Sequence, residues 1–308
     1  MDLNRPLVRE SMHAIEMELQ DGNFELLDRA TFTTEDAVAF KDADYAILLG
    51  AYPSQEGKEK KDSMEMNSII FRTLGQSLAS HAKADCKILV VGHPACTNAL
   101  LCAHHASGMP KENFFAVTHL DQNRASWQLA QRAGVSVGDV RNVIVWGCLA
   151  QAPDVDHAEI SGQPVDKVLA SPDDARWLQE DFVEAVQKRG QSVVEARQES
   201  TALSVARAVV RHVKALHCGA EPGELVSMGV WTDGNEYGIS NGLYFSMPVH
   251  CLGRGAYQVA SGLQLSKKSR RTIKEAEAEL LQDRSLLTSI LNEHKQVPVV
   301  PGRASNGH

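Results

Sequence analysis

The chain has 308 residues, of which 43% are hydrophobic and 23% are charged, and its formal net charge is −8. This length and composition suffice for one large or two ordinary globular domains with a substantial core. No apolar run reaches the length of a membrane span, the N-terminus lacks the apolar stretch of a secretory signal, and the acidic charge disfavours polyanions, so we predict no membrane insertion and no nucleic-acid partner.

Helical stripes and apolar runs alternate along the first half of the chain. The first stripe places Met12, Ile15 and Leu19 on one face of a helix over residues 12–20. The later apolar runs are unbroken, as in parallel strands that are buried on both faces. The predicted strands are Tyr45–Gly50, Lys87–Val91, Phe114–Thr118 and Val143–Trp146, with helices over 62–82 and 120–133. Such alternation predicts an α/β fold.

The second half is predicted to contain more helix. A long helical pattern covers residues 171–216, with breaks expected near Gly190 and near Ser200. Two antiparallel strands follow, Glu224–Val230 and Leu243–Val249.

The chain ends in a further helix and a tail. The helix is predicted over residues 266–295. A basic cluster between residues 267 and 274 is interpreted as the solvated start of this helix. The tail over 297–308 contains prolines and glycines and is predicted to be disordered.

The six cysteines are scattered and form no C-x-x-C pair and no zinc-binding spacing. They are Cys86, Cys96, Cys102, Cys148, Cys218 and Cys251. We interpret them as reduced thiols in a reducing compartment and predict no metal site.

Local strings along the chain resemble the malate dehydrogenase family, cytosolic type, over about residues 2–295. They include Met17–Asp21, Ala39–Asp42, Leu120–Arg124, Pro153–His157, Ser227–Gly229 and Asp233–Gly238. The resemblance implies a nucleotide-binding half over residues 1–118, an α+β substrate half over 119–296 and, in most members, a homodimer. The chain is identified as a divergent, catalytically degenerate member of this family.

The resemblance begins where the family's second strand ends. The family's first strand and its G-x-x-G-x-x-G phosphate loop have no counterpart in this sequence. The fold expected is therefore an incomplete Rossmann-like parallel sheet, with its first strand missing, followed by a lactate/malate-dehydrogenase-type C-terminal domain. Asp2 stands where the family's ribose-binding acid would be, and Gly50 and Asn98 match further cofactor-binding positions. No cofactor is expected, unless the chain is an active enzyme, in which case it would be NAD.

The family's proton-transferring histidine has no match. Its W-G-N-H motif reads Trp146-Gly-Cys-Leu149, so Leu149 stands at the position of the histidine. The family's aspartate partner is retained as Asp121, and its substrate arginine as Arg124. The two residues also have a purely structural interpretation, because Thr118-x-x-Asp121 has the form of a capping box and Asp121 and Arg124 are i,i+3 neighbours on a helix.

Other substrate positions of the family are also changed. In the mobile loop P-R-x-x-G-x-x-R, Ser54 replaces the first arginine and Lys60 the second. The family's G-N-P-x-N-T-N reads Gly92-His-Pro-Ala-Cys-Thr-Asn98, so His93 replaces an asparagine that contacts substrate and cofactor. Ser200 matches a serine that lines the site.

These replacements predict a protein without dehydrogenase activity, used as a scaffold or subunit of a larger, hetero-oligomeric protein assembly. Losing a general base costs about 10²–10⁴ in rate. The alternative is an active NAD-dependent malate, or related 2-hydroxy acid, dehydrogenase whose N-terminal segment is missing from this chain. A third hypothesis is a regulator that dimerises with an active paralogue through the helix over 12–20. The resemblance implies a cytoplasmic location and leaves a mitochondrial or cytoskeletal assembly open.

Overall fold

The structure is a computed structural model, and it describes residues 6–52, 60–148, 152–199 and 201–296. Four predicted site positions, Asp2, Ser54, Leu149 and Ser200, lie outside the described residues, as does the predicted disordered tail. No helix in the described ranges is long and apolar enough to cross a membrane.

The first half builds a parallel sheet with helices between its strands. The elements are α1 (Pro6–Asp21), α2 (Asp36–Ala39), β1 (Tyr45–Leu48), α3 (Lys60–His81), β2 (Lys87–Val90), α4 (Ala95–His105), β3 (Phe114–Ala116) and α5 (His119–Ala133). β1 pairs with β2, and β2 with β3, in parallel register. The apolar runs predicted as strands thus form strands, and those of β2 and β3 are buried because helices and the C-terminal half cover both faces.

The second half adds an antiparallel meander and three long helices. Its elements are β4 (Val140–Arg141), β5 (Ile144–Trp146), β6 (Ala152–Asp154), β7 (Glu159–Ile160), β8 (Gln163–Pro164), α6 (Val165–Val168), α7 (Pro172–Arg197), α8 (Leu203–Cys218), β9 (Val226–Trp231), β10 (Tyr244–Gly253), β11 (Ala256–Val259) and α9 (Lys267–Gln296). The predicted antiparallel pair forms as β9 and β10.

One mixed sheet connects the two halves. Its strand order is β1-β2-β3-β9-β10-β11, and β3 joins β9 through the pair Ala116 and Gly229. A Cβ on Gly229 would lie 2.5 Å from the Ala116 Cβ, so this junction requires a glycine. The large hydrophobic core draws on both halves, from Ala46 to Ile290. The α/β fold class is confirmed.

The break predicted near Gly190 is wrong. α7 runs through Gly190 without interruption from Pro172 to Arg197 and ends at Gln198, which has a left-handed φ of 58°. A Cβ at Gly190 would lie 3.2 Å from the Arg124 guanidinium. The glycine therefore gives α5 and α7 a close approach at the cost of some helix propensity. The second predicted break falls between α7 and α8, as expected.

Two apolar features remain uncovered in the described chain. β1 is one of the two edge strands of this sheet, and Ile47 on β1 is 43% exposed. In the stripe predicted on α1, Ile15 is 50% exposed, whereas Met12 and Leu19 are half-buried. An edge strand with free backbone groups and an unburied apolar stripe both favour a contact with another surface.

Candidate functional site

The retained acid and arginine lie together at the start of α5, which follows the carboxyl end of β3. Arg124 donates to Asp121 at 3.0 Å, and their side chains are only 12% and 9% exposed. Burial raises the pKa of the Asp121 carboxyl to about 6, and Arg124 opposes this rise. The predicted i,i+3 pair is confirmed, and Arg124 is the positive partner of this buried carboxyl.

The capping box predicted at the start of α5 does not form. Thr118 is the N-cap residue, but its side chain makes no capping hydrogen bond. Its hydroxyl lies 2.7 Å from the Ser246 hydroxyl and donates to the Ser227 carbonyl at 3.2 Å. These contacts tie the start of α5 to β9 and β10, so the threonine is used across the sheet rather than along the helix.

Gln122 holds the same turn of α5 through hydrogen bonds. No signal in the sequence singled this residue out. Its amide nitrogen donates to the carbonyls of Val143 and Leu225 at 2.8 and 3.0 Å, and its amide oxygen accepts from the Ser227 backbone N–H at 3.0 Å. Because Gln122 is buried, these bonds fix the orientation of the turn that presents Asp121 and Arg124.

Lys60 and His93 lie in a second group, near the carboxyl end of β2. Lys60 forms an ion pair with Asp283 of α9, whose side chain is 3% exposed. Thr97 donates to the same carboxylate at 2.8 Å. Burial lowers the pKa of the His93 imidazole; Lys60 lowers it further, and Asp283 opposes both. The charge of Lys60 is therefore neutralised by a buried acid of this chain.

The interpretation of all six cysteines as reduced thiols is wrong for two of them. Cys96 of α4 and Cys148, two residues after the end of β5, form a disulfide, with their Cα atoms 5.9 Å apart. They are 52 positions apart in sequence, and no local spacing signals the pair. Both residues stand at motif positions that the family fills with asparagine, which is the one signal that could have found them.

Two of the three predicted cofactor positions, Gly50 and Asn98, lie in the described residues. Gly50 has open space around it, where a dinucleotide could approach the backbone. Asn98 instead donates its amide to the Gly92 carbonyl at 2.9 Å, and its amide oxygen is buried and has no partner among the described residues. This asparagine holds the turn between β2 and α4, and Asp2 lies outside the described ranges.

A cavity of about 720 Å³ opens beside Arg124, between α5, α7 and α8. Five arginines and two glutamates line it, together with apolar side chains. The charged residues are Arg124, Arg141, Arg189, Arg207, Arg211, Glu221 and Glu224. The basic cluster between residues 267 and 274 is therefore not the only concentration of positive charge, because these arginines come from four separate segments of an acidic chain.

Sequence profiles of two domains match nearly the whole described chain. The NAD binding domain of lactate/malate dehydrogenase matches residues 6–116, and the alpha/beta C-terminal domain of the same enzymes matches residues 118–289.

Curated relatives and solved structures agree with these matches. Probable malate dehydrogenase 3 of Dictyostelium discoideum is 42% identical over 94% of this chain and 88% of its own length. The cytoplasmic malate dehydrogenase of Homo sapiens is 42% identical over 87% of this chain and 81% of its own. The malate dehydrogenase structure from Naegleria fowleri superimposes with a TM-score of 0.85 at 35% identity, covering 93% of this chain and 86% of that one. Trichomonas vaginalis lactate dehydrogenase in complex with NADH and oxamate has a TM-score of 0.85 at 33% identity, covering 94% and 88%.

Proposed function

The chain belongs to the lactate/malate dehydrogenase family, and we propose that it does not catalyse the malate dehydrogenase reaction but serves as a subunit of a protein assembly. One observation supports the first part of this proposal, that the chain does not catalyse the malate dehydrogenase reaction. Asp121, which in the family holds the proton-transferring histidine, is paired here with Arg124, and the histidine's position in the motif is occupied by Leu149. A leucine neither accepts nor donates a proton, so the chain lacks the general base of hydride transfer at that position.

Three further differences support this proposal. Ser54 replaces one carboxylate-binding arginine of the mobile loop, and Lys60, which replaces the other, is engaged with Asp283. A lysine also lacks the planar fork that pairs bidentately with a carboxylate. His93 replaces an asparagine at the carboxyl end of β2 and supplies an imidazole of lowered pKa.

A second candidate function is the alternative, an active NAD-dependent malate or related 2-hydroxy acid dehydrogenase. The comparisons favour it, because 42% identity over 94% of the chain links it to a probable malate dehydrogenase. The buried Asp121 and Arg124 pair is also what such an enzyme would keep. In this case the cofactor would be NAD, and Arg124 would bind the carboxylate of the substrate.

Steady-state kinetics decide between the two. We expect purified protein to show no oxaloacetate reduction above background at high NADH, with an active cytoplasmic malate dehydrogenase assayed in parallel. Turnover above about 1 s⁻¹, the low end of ordinary enzymes, supports the dehydrogenase instead. Calorimetry adds a second readout. The scaffold proposal expects no saturable heat at millimolar NADH, and a micromolar Kd contradicts it.

Assembly with another protein is the second part of the proposal. Three surfaces support it: the free edge of β1, the exposed stripe of α1 around Ile15, and the arginine-lined cavity with Trp127, which is 46% exposed, at its border. The cavity suits a partner that presents carboxylates among apolar side chains, because both kinds of group would be buried together. We propose a different protein as this partner, in a hetero-oligomeric complex.

Solution behaviour tests the assembly. The chain expressed alone should aggregate or bind the dye ANS strongly, because apolar side chains at the β1 edge and on α1, such as Ile47 and Ile15, are exposed without a partner chain. A cooperatively melting monomer that excludes ANS would contradict the proposal, and a stable symmetric dimer would contradict its hetero-oligomeric form. The names of the cytoplasmic relatives support a cytoplasmic location, which fractionation of cells expressing a tagged chain would check.

A further inference from the structure

We propose that Cys96 and Cys148 form a reversible dithiol–disulfide couple, a redox modification site that exchanges with small-molecule disulfides of the glutathione class. The inference does not depend on whether the chain is an active dehydrogenase, because it concerns two thiols and not turnover.

The first observation is a paired replacement. Cys96 lies in the Gly92–Asn98 motif and Cys148 directly after Trp146-Gly147, and both replace asparagines of the family pattern. Their Cα atoms are 5.9 Å apart, within the range that a disulfide spans without backbone movement. Replacing a single asparagine would give a lone thiol, whereas replacing both at contacting positions gives a bond.

The second observation is the electrostatic difference between the two cysteines. Cys96 is the second residue of α4, an eleven-residue helix, where free backbone N–H groups stabilise a thiolate. Cys148 follows a strand and has no such helix end, but it is the more accessible of the two, at 6% exposure against 1%. Cys148 is therefore the thiol that an external disulfide reaches first, and Cys96 is the thiolate that completes the exchange.

The reaction balances with one molecule of oxidised glutathione. The Cys148 thiolate attacks one glutathione sulfur, the glutathione S–S bond breaks, and one glutathione thiolate leaves. The Cys96 thiolate then attacks the Cys148 sulfur of the mixed disulfide and releases the second glutathione. The two protons lost by the cysteines are taken up by the two glutathione thiolates, so the protein loses two electrons and glutathione gains them.

The remaining cysteines are poor competitors for this chemistry. Burial raises the pKa of the Cys86 thiol to about 11 and those of Cys102 and Cys251 to about 12, so little thiolate forms at neutral pH. Cys218 is exposed and can take up a glutathione, but no second cysteine is bonded to it. The structure thus restricts intramolecular exchange to one pair.

The disulfide links the end of β5 to the start of α4. Three other contacts also restrain this junction. Gly147 lies so close to α9 that a Cβ would stand 2.5 Å from the Ala276 Cβ. Trp146 donates its indole N–H to Asp154 at 2.8 Å. Thr97, next to Cys96, donates to Asp283. Oxidation therefore holds together the two strand ends that border the candidate site, and reduction releases one of their links.

The test is peptide mapping of native protein equilibrated in glutathione buffers from fully reduced to fully oxidised. After acid quenching, free thiols are alkylated in urea, and the disulfides are then reduced and given a second label. We expect Cys96 and Cys148 to take the second label together in oxidised buffer and the first label in reduced buffer. Free thiols at both positions in the most oxidising buffer would overturn the proposal, as would a bond that reduced glutathione cannot open in the native protein.

Variants with a single cysteine replaced test the assigned order of attack, in which Cys148 reacts first and Cys96 second. Cys96→Ser should trap glutathione on Cys148, because the resolving thiolate is gone, and should accumulate at least several-fold more adduct at that site than Cys148→Ser does at Cys96. Cys218→Ser is the matched control and should leave the coupled labelling of the pair unchanged. Equal adduct in the two single variants would overturn the order. If a variant fails to fold, peptide mapping of the unmodified protein still tests whether Cys96 and Cys148 form a reversible couple.

Discussion

The start of α5 and the junction of β2 with α4 lie at the same end of the sheet, but different interactions hold them. At α5, Asp121 and Arg124 form a buried ion pair, and Gln122 holds their turn against two other segments. At the junction, the disulfide between Cys96 and Cys148 links α4 to the end of β5. One region therefore depends on charge and the other on a covalent bond, because removing either member of a buried ion pair leaves an uncompensated charge.

The largest effect is expected from removing the disulfide. Reduction, or the double change Cys96→Ser and Cys148→Ser, should lower the free energy of unfolding by about 4 kcal/mol, the loop-entropy value for a separation of 52 residues. Urea unfolding with and without reductant measures it. A reduced protein as stable as the oxidised one would mean that the junction is held by its other contacts alone.

A smaller loss is expected on the α5 side. Arg124→Met should cost roughly 3 kcal/mol at pH 8, because the buried Asp121 carboxylate would lose its cation. The matched control is Arg176→Met, which removes an exposed i,i+3 pair with Asp173 and should leave the urea midpoint unchanged.

The pH dependence of the unfolding free energy provides a further test of the Arg124→Met prediction. A raised folded-state pKa means that the folded protein binds the Asp121 proton more tightly than the unfolded chain does, so this group favours folding as pH falls below about 6. Arg124→Met raises that pKa further, and its stability loss should shrink between pH 8 and pH 5. A loss that is equal at both pH values would show that packing, and not charge, explains the cost.

The smallest effect concerns the buried imidazoles that link α5 to α8. The ring centroids of His119 and His212 are 6.5 Å apart, and their nitrogens have no partner among the described residues. Burial lowers the pKa of His212 to about 3, and burial, with help from His212, lowers the pKa of His119. Below the unfolded value near 6.5 the unfolded chain binds these protons more readily, so stability should fall by about 1.4 kcal/mol per pH unit for each imidazole.

His212→Phe tests this acid sensitivity. The slope of unfolding free energy against pH between 6 and 5 should decrease by about 1.4 kcal/mol per pH unit, the contribution of one imidazole, whatever the absolute stability of the variant. His81→Phe, at an exposed position on α3, serves as the control and should keep the original slope. An unchanged slope in His212→Phe would indicate that other groups carry the acid sensitivity.

Sequence reasoning succeeded where a pattern is local and failed where a contact is distant. The unbroken apolar runs at β2 and β3 and the helical pattern at α9 identified those elements, because burial on both faces gives a continuous apolar run and burial on one face gives a helical period. Gly190 was misjudged as a break, because the reason for the glycine is the Arg124 guanidinium of another helix. Thr118 is the N-cap residue of α5, but it was misjudged as part of a capping box, because its hydroxyl bonds across the sheet.

From the sequence alone, the family and the α/β class could be predicted, and Leu149, Ser54 and His93 could be predicted as departures from the family's motifs, since these predictions rest on local strings and periods of the chain. Three other features required the folded structure: the ion pair of Lys60 with Asp283, 223 positions away, the cavity lined by arginines of separate segments, and the contact of Cys96 with Cys148. The physical reason is common to all three. Charge neutralisation and disulfide bonding depend on distances of a few ångströms, and those distances are set by the packing of elements that are far apart in the chain.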